Sequence, residues 1–185
     1  METVATINFA LALGTLAMQI AGAAFIALFF LRARFPDLND VGDLLSEWGL
    51  WVGLLLSGAG STLTLVYSEI LGFAPCGLCW VQRVFLYPLV VLFALALWKK
   101  DRGIANYVIA LSIPGALVAL YQHYLQMGGG SLLPCPATAA EAVDCGVRFV
   151  FEFGYITFPL MAFTLFAFLI VLMLFVRNSQ QSLLS

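Results

Sequence analysis

The chain has 185 residues, 63% of them hydrophobic and only 10% charged, with a formal net charge of −2 and a mean hydropathy of +1.02. Soluble domains carry about 25% charged residues, and a globule of this size cannot hide so much apolar surface from water. A soluble enzyme, a disordered tail and a collagen-like rod are therefore excluded, and with no large basic cluster nucleic acid is not an expected partner.

The chain belongs in a bilayer, where only helices and closed barrels satisfy the backbone. A spanning helix needs about 20 mostly apolar residues. Five stretches qualify in chain order: Ile7–Leu31, Trp48–Phe73, Cys79–Trp98, Ile104–Tyr124 and Pro159–Val176. The expected fold is an all-α integral membrane helical bundle. The first span has Glu2 where a signal peptide has basic residues, and it is too long for a signal-peptide core, so it reads as a true span. The acid-bearing segment Asp37–Glu47 is expected to be a loop. The second span carries small residues every four positions (Gly49, Gly53, Ser57 and Ser61), a stripe that lets a neighbouring helix approach closely.

Basic residues orient the spans. Arg32, Arg34, Lys99, Lys100, Arg102 and Arg177 flank helix ends that share one side if the spans alternate. The positive-inside rule makes that side cytoplasmic. The N-terminus is then outside and the C-terminus inside. The tryptophans Trp48, Trp51 and Trp98 sit at the inner ends as belt residues.

On this topology all four cysteines lie outside, in two loops, where disulfides persist. Cys76 and Cys79 form a C-x-x-C at the start of the third span, in Pro75-Cys76-Gly77-Leu78-Cys79-Trp80-Val81-Gln82-Arg83. Cys79 falls in the first helical turn, where free N–H groups and the helix dipole stabilise a thiolate. Arg83, at i+4, shares its helix face about 6 Å deeper. A guanidinium at the hydrocarbon edge is costly and marks function. Glu69 lies at a similar depth on the preceding helix and is expected to pair with Arg83, directly or through a water. Cys135 and Cys145 lie in the longer outer loop, where Pro134 and Pro136 bracket Cys135 and keep it exposed to an incoming protein thiol. The following stretch, Val147–Tyr155, holds four aromatics and reads as interfacial. His123 sits between Gln122 and Tyr124 at the outer end of the fourth span, at the level of Arg83, and is expected to join it in binding the polar head of a lipid-soluble redox molecule. A structural zinc site is disfavoured, because C-x2-C with C-x9-C lacks the usual knuckle spacing, and no metal is expected.

Cys76-Gly-Leu-Cys79-Trp-Val-Gln-Arg83 at a helix start, Tyr121-Gln-His123, Cys135-Pro and Cys145 ahead of a final span resemble the membrane disulfide-bond-forming DsbB family. The compact cysteine loop and Tyr155-Ile-Thr-Phe-Pro159 look closest to its short, BdbC-like branch. The resemblance covers about Trp48–Val176 and divides the chain into an extra N-terminal transmembrane helix at 1–34, a cytoplasmic loop at 35–47, a four-helix redox domain at 48–177 and a cytoplasmic tail at 178–185. It implies a bacterial inner-membrane oxidase that re-oxidises a DsbA-like thioredoxin-fold partner and passes two electrons to a quinone, ubiquinone or menaquinone. Carried onto this chain, Cys135 would form the mixed disulfide with the partner and Cys145 would exchange with Cys76. Cys79 would face the quinone as a thiolate stabilised by Arg83, with His123 a further quinone-pocket residue. Two rival readings are a vitamin K epoxide reductase-like enzyme, in which the C-x-x-C usually follows the loop pair instead of preceding it, and a non-catalytic membrane scaffold with structural disulfides.

Overall fold

The computed structural model describes residues 2–32, 34–35, 38–132, 135 and 144–184, with side chains from 4 to 179 within those ranges. Asp37, Pro134, Pro136 and Ser185 lie outside the described residues. The helices are α1 (Glu2–Leu31), α2 (Asn39–Leu65), α3 (Gly77–Lys99), α4 (Ala105–Gln126) and α5 (Phe158–Leu184). A π-helical turn, Val66–Ile70, extends α2, and a 3-10 turn, Arg102–Ile104, leads into α4. All five helices are long and apolar enough to cross a membrane. Among the described residues the only sheet-like pairing is an isolated bridge between Glu152 and Ile156. The all-α membrane bundle expected from composition is what the chain forms.

Two boundaries differ from expectation. The segment expected as a loop before the second span is helical from Asn39 onward. Asp40 in its first turn complements the positive helix end, and Gly42, Ser46 and Gly49 form a buried face of small residues. The stretch after Arg177, expected as a tail, continues α5 to Leu184, since no Gly or Pro interrupts it.

The helix α5 is the hub. It packs against α1, α2 and α4, while α3 closes the ring between α2 and α4. Its Phe166, Leu169, Met173, Phe175 and Val176 are fully buried. The helix α1 lies outside this four-helix ring on α5, where Phe25 meets the rings of Phe168 and Phe175. The small-residue stripe is consumed inside the bundle. Gly49 faces Val176 and Leu172 of α5, and Gly53 receives the Phe93 ring of α3 in the space a Cβ would occupy. Phe93 is completely buried, so the ring has nowhere to retreat. Gly53→Val is therefore expected to cost about 1–3 kcal/mol by overpacking. The readout is a lower midpoint of thermal aggregation in detergent, whereas Gly58→Val, at a position with no neighbour within 4 Å, should leave it unchanged.

Arg32, Arg102 and the start of α2 meet at one end of the bundle. Arg102 donates to Ser46 Oγ at 3.3 Å, and Arg32 lies over the rings of Phe29 and Phe175. The cysteines gather at the other end.

Candidate functional site

Helix α3 begins at its C-x-x-C pair. Cys76 is the N-cap, in extended backbone (φ −71°, ψ 170°), and its sulfur accepts the N–H of Cys79 at 3.3 Å. A sulfur thus takes the capping role usually filled by a Ser or Asp oxygen. The two sulfurs stand 2.6 Å apart. Across the bundle, Gln122 of α4 reaches both of them: its Nε2 donates to Cys76 Sγ at 3.1 Å and to Cys79 Sγ at 3.3 Å. Its Oε1 accepts from Gln82 Nε2 at 2.5 Å. Gln122 is only 1% exposed, so this amide is a fixed prop between the two helices. The Cys76 thiol is held well above the usual thiol range, first by its hydrogen bond with the Cys79 sulfur and then by burial.

Gln122, Gln82 and Gln126 were not singled out from sequence. The available signal was an uncharged polar side chain inside an apolar span, which must find a partner in the bundle. Gln122→Leu keeps the volume but removes the donor to both sulfurs. Because hydrogen bonds to charged groups contribute about 1.5–3 kcal/mol, labelling of the reduced pair by a dipyridyl disulfide at neutral pH is expected to slow about tenfold.

Arg83 is buried, 7% exposed. Its Nη2 donates to the carbonyl of Thr64 at 2.8 Å, and its guanidinium lies 5.0 Å from the centre of the Trp80 ring. Nη1 is buried and has no hydrogen-bond partner. The expected direct Glu69–Arg83 pair does not form. Glu69 is exposed and accepts from Ser68 Oγ at 2.9 Å. The cause is the π turn at Val66–Ile70: with Leu71 N–H bonded to the Val66 carbonyl, an extra residue is wound into that turn and side chains beyond it fall off the α-helical register.

The second pair is closed as a disulfide, Cys135–Cys145, with Cα atoms 5.9 Å apart. Its two sulfurs are unequally placed. Cys145 is buried at 1% exposed, in the same apolar cluster as Cys76 and Leu78, while Cys135 at the cluster's edge is partly exposed. Exposure of the pair to an incoming thiol therefore belongs to Cys135 alone. The chain after Cys145 is pinned to α4, since Gln126 Nε2 donates to the Val147 carbonyl at 2.8 Å. In the stretch expected to be interfacial, Val147, Phe149, Phe151, Phe153 and Tyr155 are exposed while Val150 is buried, as is Ile156 just beyond it.

His123 is not brought to the cysteines. Its Nδ1 bonds Thr157 Oγ1 at 2.9 Å, at the entry to α5. The neighbouring residue, Gln122, points inward instead.

A cavity of about 110 Å³ opens beside the C-x-x-C; its polar lining includes Cys76, Cys79, Gln82, Arg83, Gln122, Gln126 and Asp144, and Phe73, Phe149, Phe158 and Phe166 form much of its apolar wall. His123 is not among its lining residues. Two buried polar atoms of lining residues lack partners, the donor Arg83 Nη1 and the acceptor Gln126 Oε1. An orphaned buried donor is costly, and a mostly apolar cavity with two polar points suits a flat lipid-soluble ring bearing carbonyl or hydroxyl oxygens. The residues present fit a quinone head group. Among the described residues no cluster of His, Cys, Asp and Glu could hold a metal.

A membrane bundle that packs a closed disulfide in one cluster with a second, free cysteine pair is arranged for thiol–disulfide exchange. The family described as "Disulfide bond formation protein DsbB" matches residues 46–176. Disulfide bond formation protein C of Bacillus subtilis (strain 168) is 34% identical over 133 residues, covering 70% of this chain and 91% of the relative. A probable disulfide formation protein of Oceanobacillus iheyensis is 37% identical over 131 residues, 71% of this chain and 88% of its own. Another, from Metapseudomonas resinovorans, is 35% identical over 132 residues, 70% and 88%. No solved structure matches. The chain belongs to the DsbB family, in its BdbC-like branch, and is a multi-pass membrane protein of disulfide formation.

Proposed function

We propose that this protein is a quinone-dependent thiol oxidase that re-oxidises a DsbA-like thioredoxin-fold protein on the outer face of the cytoplasmic membrane. The observation that carries the reading is the chain of sulfurs: a partly exposed Cys135, a buried Cys145, Cys76 in the same cluster, and Cys79 on the wall of a cavity that also holds an unpartnered Arg83 Nη1.

Exchange proceeds by thiolate attack on a disulfide. A partner thiolate attacks Cys135 Sγ, breaking the Cys135–Cys145 bond and releasing Cys145 as a thiolate. The partner's second thiol attacks the mixed disulfide, which leaves the partner oxidised and Cys135 reduced. In the oxidised state of the inner pair, the Cys145 thiolate attacks Cys76 and expels Cys79 as a thiolate. Cys135 then attacks Cys145, which restores the outer disulfide and leaves Cys76 as a thiol. Two electrons have moved from the partner to the Cys76/Cys79 pair, with their protons accounted for by the thiols consumed and formed.

A bound membrane quinone supplies the acceptor for those two electrons and two protons. Arg83 and Cys79 would hold it. The guanidinium follows Cys79 by one helical turn and lines the same cavity, so Arg83 steadies negative charge there, while the surrounding phenyl rings exclude water. The test is reduced DsbA-like partner mixed with the detergent-purified protein and a short-chain quinone analogue. Quinone absorbance should fall mole for mole with partner oxidation; quinone consumption that persists without the cysteines, or none at all, overturns the reading.

A further inference from the structure

The helix α1 precedes the segment matched to the family, residues 46–176, and an anchoring role alone would ask nothing of its polar residues. Yet it carries Asn8, Thr15 and Gln19, spaced by seven and four, which places them on one helical face. Amides are expensive in hydrocarbon and persist where they find partners. Gln19 bonds Thr164 Oγ1 of α5 at 3.2 Å and accepts from the Tyr155 hydroxyl at 3.0 Å. Asn8 Oδ1 accepts from the Tyr67 hydroxyl at 2.5 Å, with both residues buried.

Tyr67 is part of the site. It stands in the π turn, lines the cavity, and packs its ring edge-on to Phe158 with centroids 4.5 Å apart and against Phe73 at 5.9 Å. The Asn8 side-chain carbonyl is the acceptor for its hydroxyl. Without Asn8, a 4% exposed phenol must turn to reach another acceptor, because leaving it unbonded costs about 1–3 kcal/mol. The cavity wall would turn with it.

We infer that Asn8 is a positioning residue for the acceptor cavity: α1 fixes the Tyr67 ring from outside the four-helix ring and so sets the shape of the space beside Cys79. This rests on the quinone reading only for its kinetic arm. The two sites act through one hydrogen bond, so Asn8→Ala and Tyr67→Phe share an effect, and the double variant is no worse than either single one.

The test has two arms in detergent-purified protein. With a short-chain ubiquinone or menaquinone analogue, both single variants are expected to raise the KM for the analogue about tenfold, with kcat and the KM for the reduced partner within about twofold. Independently of any quinone, the fully reduced protein is treated with N-ethylmaleimide. Alkylation of Cys79 should change at least about threefold in both variants while that of Cys135 stays constant. Asn8→Gln, which keeps the amide acceptor, should recover part of both effects. An unchanged Cys79 alkylation rate together with an unchanged KM overturns the inference, as does a uniform loss of kcat, partner KM and folded yield, which marks α1 as structural only. Altered Cys79 alkylation in a protein that never reduces quinone overturns the functional reading and supports the role of Asn8.

Discussion

Replacing Cys79 with serine is expected to reduce quinone-linked turnover to background while the protein still captures its partner. Serine cannot form a disulfide, and its hydroxyl stays protonated where a thiol ionises, so the inner couple can no longer accept electrons from Cys145. The outer disulfide does not depend on Cys79: it joins Cys135 to Cys145 and is reached through Cys135. Mixing reduced partner with Cys79→Ser protein should therefore accumulate a mixed disulfide at Cys135, visible by non-reducing electrophoresis and peptide mass spectrometry. Persistent quinone-linked turnover in this variant would remove Cys79 from the acceptor end. A serine at Cys135 inverts the pattern, with no partner capture and an intact inner pair.

The second large effect belongs to Arg83. Arg83→Met keeps much of the side-chain volume but removes the charge beside Cys79 and the donor to the Thr64 carbonyl. Charge-assisted hydrogen bonds contribute about 1.5–3 kcal/mol, so the KM for a quinone analogue should rise about 10–100-fold. Arg83→Lys should recover only part of this, because an ammonium on a flexible stem cannot hold the Thr64 carbonyl and present a second donor to the cavity in the fixed geometry of a guanidinium. Glu69→Gln is expected to stay within about twofold of the parent, since an exposed carboxylate bonded only to Ser68 contributes little. Steady-state kinetics over a range of analogue concentrations checks all three. Equal losses from Glu69→Gln and Arg83→Met would mean that the two residues act as a pair after all.

Spans, cysteine spacing and the Cys79–Arg83 register were legible because each depends on local periodicity. Apolar length sets the helices, and i to i+4 sets the shared face. What escaped depends on packing between helices. The Glu69–Arg83 pair was inferred from matched depths on neighbouring spans, an argument that assumes unbroken α geometry, and the π turn at Val66–Ile70 breaks it. His123 and Gln122 are adjacent in sequence and about 100° apart around α4. Depth alone cannot say which of them faces the sulfurs, and it is the amide that does. The acidic segment before Trp48 looked like a loop because its charges outweighed its small residues, yet Gly42, Ser46 and Gly49 give it a face to bury. In each case the missing information was azimuth, the direction a side chain takes around its helix.

The unequal burial of the outer disulfide has a consequence for leakage. Small dissolved thiols, whatever their concentration, find a single reachable sulfur in that disulfide, and the one they displace is sealed within the protein. Cys76 behind it is sealed as well, at 3% exposed. A chance reductant can thus open the outermost bond, whereas the inner couple presents only Cys79, partly exposed on the cavity wall. Each couple therefore has one entrance and one shielded sulfur, Cys135 and Cys145 in the outer pair, Cys79 and Cys76 in the inner.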